Sequence, residues 1–81
     1  MKLQEALKSS DHDMAIIECN GLQTIVDGFG SEGYDISVGV ADMPDLRDNI
    51  WLACMDDVCA WIVQRGLDTD DWHPIQEYDG P

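Results

Sequence analysis

PDLRDNIWLACMDDVCAWIVQR, residues Pro44 to Arg65, is the longest stretch of the chain with a sustained apolar period, and its folding decides the architecture. Projected at 3.6 residues per turn, Ile50, Trp51, Leu52, Cys54, Met55, Val58, Cys59, Trp61 and Ile62 fall within an arc of roughly 200°. Asp45, Asp48, Asn49, Asp56, Asp57 and Gln64 occupy the remaining side. The spacing therefore predicts one long amphipathic helix over Pro44–Arg65. Asp42 suits its cap, Pro44 its first turn, and Asp45 and Asp48 the positive end of its dipole. Arg65 and Gly66 mark the stop.

Upstream of it lies a hairpin signature. MAIIEC and LQTIVD flank Asn20-Gly21, two residues that accept the positive φ values of a type I′ turn. A two-residue loop fixes the register: Cys19 faces Leu22, Ile17 faces Thr24, and Ala15 faces Val26. These six share a largely apolar face. Met14, Ile16 and Glu18 oppose Asp27, Ile25 and Gln23 on the other, mixed face. Residues 34–41, YDISVGVA, alternate with Tyr34, Ile36, Val38 and Val40 on one side, which predicts a third strand. Between them Gly28–Gly33 is a loop. It has three glycines but no Lys, opens no helix and lies among Asp27, Glu32 and Asp35, so it is no phosphate cradle.

Residues 2–9 read as a short helix with Leu3, Ala6 and Leu7 on one side, too short to hold without docking. After Gly66, Leu67, Trp72 and Ile75 are placed to pin the tail back onto the body, while Pro74 bars a central strand there. The last few residues are expected to be loose. The predicted class is α+β. A three-stranded antiparallel sheet packs against one long C-terminal helix, with a short N-terminal helix. The single domain divides into residues 1–10, 14–41, 44–65 and an acidic tail, 66–81. An apolar arc of that width exceeds what one sheet face covers, so the N-terminal helix, the tail or a second copy in a homodimer must cover the rest. Trp51 and Trp61 are expected in the core or at such a dimer contact, with a groove holding a partner's side chain as the alternative.

The chain has 81 residues and a formal charge of −13, from 17 acids against Lys2, Lys8, Arg47 and Arg65. A hydrophobic share of 44% is enough for a modest core and argues against disorder. The charge disfavours direct nucleic-acid binding and anionic membrane surfaces, both of which need clustered Lys and Arg. The three cysteines, Cys19, Cys54 and Cys59, are odd in number. The last two diverge by roughly 140° on a helix, so reduced, buried thiols in a cytoplasm are expected. The apolar runs are too short to span a membrane, and residues 1–13 are too polar for a secretory signal.

No motif identifies a reaction. Asp11-His12-Asp13 reads as a solvated connector, and Cys19, Cys54, Cys59, His12 and His73 lack zinc-ligand spacing. Asp68-Thr69-Asp70-Asp71 resembles the start of a calcium loop without its Gly and closing Glu, and capping by Asp68 or Thr69 is the plainer role. The thiols lie on apolar faces, where a thiolate is disfavoured. Neither catalysis, a cofactor nor a metal is expected.

The acids have a stronger case taken together. On the predicted helix, Asp45, Asp48, Asp56 and Asp57 line one side over about 18 Å. Glu18 and Asp27 lie on the hairpin's outer face, Asp35 on that of the third strand, and Asp68, Asp70 and Asp71 crowd the helix exit. Carboxylates in rows on a rigid body suit a basic groove that otherwise holds DNA or RNA. In size, acidity and α/β layout the whole chain resembles the small phage anti-CRISPR proteins of the nucleic-acid-mimic kind. That resemblance implies binding to the basic channel of a CRISPR effector complex and exclusion of target DNA. Leu3-Gln4-Glu5-Ala6-Leu7 and Asp71-Trp72 also echo a small phage family that sequesters a nucleotide signal. The basic and aromatic stretch after that family's first helix is missing here, so its ligand is not carried over. An immunity or antitoxin protein capping a basic nuclease, or an acidic accessory domain, are the alternatives.

Overall fold

A computed structural model describes residues 1–43 and 45–76. The Asn20-Gly21 turn is formed, with φ values of 54° and 80°. It joins β1 (Met14–Cys19) to β2 (Leu22–Gly28) in the register expected, from Cys19 opposite Leu22 to Met14 opposite Asp27. β3 (Tyr34–Val40) pairs antiparallel with β2, ending one residue earlier than the sequence suggests. The N-terminal helix α1 (Leu3–Ser9) buries Leu3, Ala6 and Leu7. The class is α+β, as predicted, with a sheet that is entirely antiparallel.

The long helix over Pro44–Arg65 is not there. Arg47–Leu52 is a strand, β4, and only Met55–Gln64 is helical, as α2. Among the described residues the sheet accordingly has five strands rather than three, in the order β4-β3-β2-β1-β5. RDNIWL satisfies both periods, because Asp48, Ile50 and Leu52 alternate with Arg47, Asn49 and Trp51. The open edge of β3 decides between them by offering a full ladder of backbone partners. An apolar arc of roughly 200° is wider than one helix normally presents, and here it is the sum of two elements facing different neighbours.

Arg47 locks the choice. Its Nε–H donates to Ser37 Oγ at 3.1 Å and Nη1 to Gln23 Oε1 at 2.8 Å, while Nη2 reaches the carbonyls of Gln23 and Ser37, each at 3.1 Å. The side chain crosses Gly39 to do this. A Cβ at Gly39 would stand 2.8 Å from Arg47 Cγ, so the glycine opens the path. One arginine thus ties β4 to β3 and β2 across the outer face.

Both helices lie on the inner face, over Ala15, Ile17, Val26 and Ile36, with Val58 and Ile62 of α2 completing the core. α2 ends as the sequence indicates. Gly66 has φ 69°, its N–H bonds Val63 O, and the N–H of Leu67 bonds Ile62 O, which is a Schellman closure. Trp72 is the expected anchor, buried to 1% exposure with its indole N–H on Leu67 O at 2.8 Å. The tail then adds β5 (His73–Pro74) beside β1. Pro74 sits on an edge strand, where a missing N–H is tolerated. The loose end expected after it falls on residues 77–81, outside the described residues, as does Pro44, expected in the first turn of the long helix.

Two burial expectations fail. Cys19 and Leu22, beside the hairpin turn, are exposed on the inner face, and Cys54, which precedes the first residue of α2, is exposed too. Only Cys59 is half-buried. Trp51, expected inside, is 53% exposed, because pairing with Asp35 turns it to the outer face. Trp61 packs partly against the core.

Candidate partner-binding surface

The acids expected to form a row along one helix are dispersed. Asp45 lies in the turn before β4, Asp48 on β4 facing inward beside Val38, and Asp56 and Asp57 in the first turn of α2. There the helix dipole offsets part of their charge. Asp68 and Asp70 have an architectural role. Lys2 Nζ lies 3.6 Å from Asp68 Oδ1 and donates to its carbonyl, and the N-terminal ammonium donates to Asp70 O. Asp71 N–H reaches Thr69 Oγ1, closing a turn, so the capping expected of Asp68 or Thr69 is replaced by a connector.

The outer face of the sheet keeps its acids together. Asp27 and Asp35 stand directly opposite each other on β2 and β3. Side chains in that relation have Cβ atoms about 5 Å apart. Asn49 Nδ2 donates to both Asp35 oxygens, at 3.0 and 3.3 Å, fixing that carboxylate. Asp13 joins the pair: its carbonyl accepts from Gly28 N–H at 2.8 Å, and its charge is felt at Asp27. Burial, then Asp35, then Asp13 push the Asp27 carboxyl above its ordinary range. Glu18 is farther off, about 13 Å along β1 from the position opposite Asp27.

An aromatic pair lies beside these carboxylates. Trp51 neighbours Asp35 across the strands, and Phe29, from the β2–β3 loop, tilts against it at 39° with centroids 5.5 Å apart. Gly33 makes room for the indole. Its φ is 123°, and a Cβ there would lie 2.6 Å from Leu52 O and 3.1 Å from the Trp51 ring. Both rings are about half exposed. Fixed carboxylates next to exposed ring faces are groups that hold guanidinium and ammonium ions.

Asp13, Phe29 and Trp51 escape the sequence reading because each depends on pairing. The alternation in RDNIWL is the one signal that would have placed Trp51 next to Asp35. Among the described residues no three His, Cys, Asp or Glu side chains converge as a metal set, and no helix is long and apolar enough to cross a membrane. No protein-family model matches the chain, and comparison with curated proteins and with solved structures gives no match either.

Proposed function

We propose that this chain is an acidic inhibitor of a nucleic-acid-binding machine, one that occupies the basic channel of a CRISPR effector complex and keeps target DNA out. The observation that carries this reading is the opposition of Asp27 and Asp35 on two paired strands, with Asp13 alongside. Neighbouring strands lie about 4.8 Å apart, so the sheet holds negative charge at intervals comparable to those of a phosphate backbone. Because the carboxylates stand on a sheet, they lose little freedom when a partner binds. The formal charge of −13 adds long-range attraction and fast association. Asp27 and Asp35 are the principal contacts, with Glu18 on the same face. Asp45, Asp48, Asp56, Asp57, Asp68, Asp70 and Asp71 contribute field.

Binding to an isolated effector complex, measured over a salt series with and without competing duplex DNA, tests this. Affinity should fall steeply with salt, DNA should compete, and Asp27→Lys with Asp35→Lys should weaken binding by roughly tenfold or more, mainly through slower association. Affinity indifferent to both salt and DNA sinks the reading. An immunity protein capping a basic nuclease would use the same electrostatics. Capture from cells holding either a CRISPR complex or a cognate nuclease separates the two by the partner recovered.

A further inference from the structure

The inner face of the sheet is bare at one end. α2 has ten residues and stops short of the β1–β2 turn, leaving a cavity of about 290 Å³ between helix and strands. Leu22, Thr24 and Val38 line it from the sheet, Cys19 from the strand end, and Trp61 and Leu67 from α2 and beyond. The apolar surface continues past the cavity, since Val40 lies directly opposite Leu22 on the same face. Leu22 is 49% and Val40 43% exposed. A concave apolar site flanked by more exposed apolar surface is where partners place an anchoring side chain.

The surroundings say what kind of partner. Asp48 sits opposite Val38 on this face, Asp42 follows Val40 by two residues, and Asp68, which also pairs with Lys2, follows Leu67; all three are exposed. Arg65, the one cation among the described residues lining the cavity, is engaged, its guanidinium 4.0 Å over the Trp61 ring. We propose that this cavity receives an apolar anchor side chain from a basic segment of a protein partner, whose lysines or arginines face Asp42, Asp48 and Asp68. The inference rests on the basic partner proposed above and adds a second, apolar contact to it. A second copy of the chain fits poorly, because each copy brings a charge of −13 to the contact.

Two helical peptides of equal positive charge provide the test. One carries Leu at i, i+3, i+4 and i+7 among lysines, which gives a helix an apolar face; in the other, Ser replaces Leu. The Lys/Leu peptide should bind roughly tenfold tighter or more, and Leu22→Asp should remove that advantage. Cysteine alkylation of the unaltered protein gives a readout independent of any variant. Cys19 lines the cavity and Cys54 does not, yet both are exposed. The Lys/Leu peptide should protect Cys19 and leave Cys54 at its free rate. Equal affinity for the two peptides, or equal protection of both thiols, overturns the proposal. So does protection of Cys19 that rises with protein concentration and needs no peptide. If the peptides are told apart while effector binding is indifferent to salt, the pocket stands and the inhibitor reading falls. If effector binding responds to salt but the peptides are not told apart, the reverse holds.

Discussion

Replacing Asp27 by Asn should make the protein more stable and a weaker binder at once. The carboxylate stands opposite Asp35 with Asp13 nearby, and its own ionisation is disfavoured by burial and by both neighbours. Two unit charges about 6 Å apart repel by about 0.7 kcal/mol in water and by about 2.8 at an effective dielectric of 20. Asp27 is only half-buried, so the lower figure is nearer, in keeping with the range of about 0.2–1 kcal/mol for like charges across strands. Asn keeps the shape and removes the charge. The expected gain is about 0.5–1 kcal/mol, or roughly 3–6 °C in Tm for a domain of this size.

The pH dependence fixes the sign. With its folded value raised, Asp27 keeps its proton in the native state at a pH where the unfolded chain has already lost it. Stability therefore falls as pH rises from the ordinary carboxylate range through the raised value, and the full penalty persists above it. The Asn variant should gain most at pH 7 and low salt. The gain should vanish at about pH 3, where the carboxyl is protonated in both states, and shrink in 1 M salt, where the screening length is about 3 Å. Thermal unfolding followed by circular dichroism under these conditions measures it. A variant that is no more stable than the parent at pH 7 and low salt would refute the repulsion argument. A gain in stability with no loss of partner affinity would instead remove Asp27 from the binding surface. Stability gained with binding lost is the pattern of a residue kept for function.

Gly33→Ala should destabilise by roughly 1–3 kcal/mol, since the residue holds φ 123° and the new Cβ would meet Leu52 O at 2.6 Å; urea midpoints would show it. Arg47→Ala removes four hydrogen bonds that tie β4 to β2 and β3. A loss of roughly 2 kcal/mol is expected, with amide exchange accelerated first in β4, and exchange unchanged there would show that the strand holds without it. Burial, Asp56 and Asp68 all raise the Cys59 thiol, so iodoacetamide at pH 8 should modify exposed Cys19 and Cys54 well before Cys59, as read by peptide mass mapping.

Local signals were legible wherever a few neighbouring residues settle the backbone. Asn20-Gly21 accepts two positive φ values and so dictates a register that carries through all six pairs of β1 and β2. The Gly66 stop, the inward face of α1 and the burial of Trp72 are of the same kind. The acidity was legible as a total. Its arrangement was not, because Asp27, Asp35 and Asp13 are brought together by strand pairing and a loop, whereas the predicted helical row required a helix that does not form.

Composition and short-range stereochemistry thus determined an α+β chain with a strong negative charge, a fixed hairpin and a capped helix ending at Gly66. Only the tertiary structure decided that Arg47–Leu52 is a strand. Its sequence fits two periods about equally well, and the deciding contacts come from far along the chain: the open edge of β3, and the acceptors of Gln23 and Ser37 reached across Gly39. That choice shortened the helix at its start and turned Trp51 outward next to Asp35. The surfaces offered to a partner were therefore set by long-range pairing.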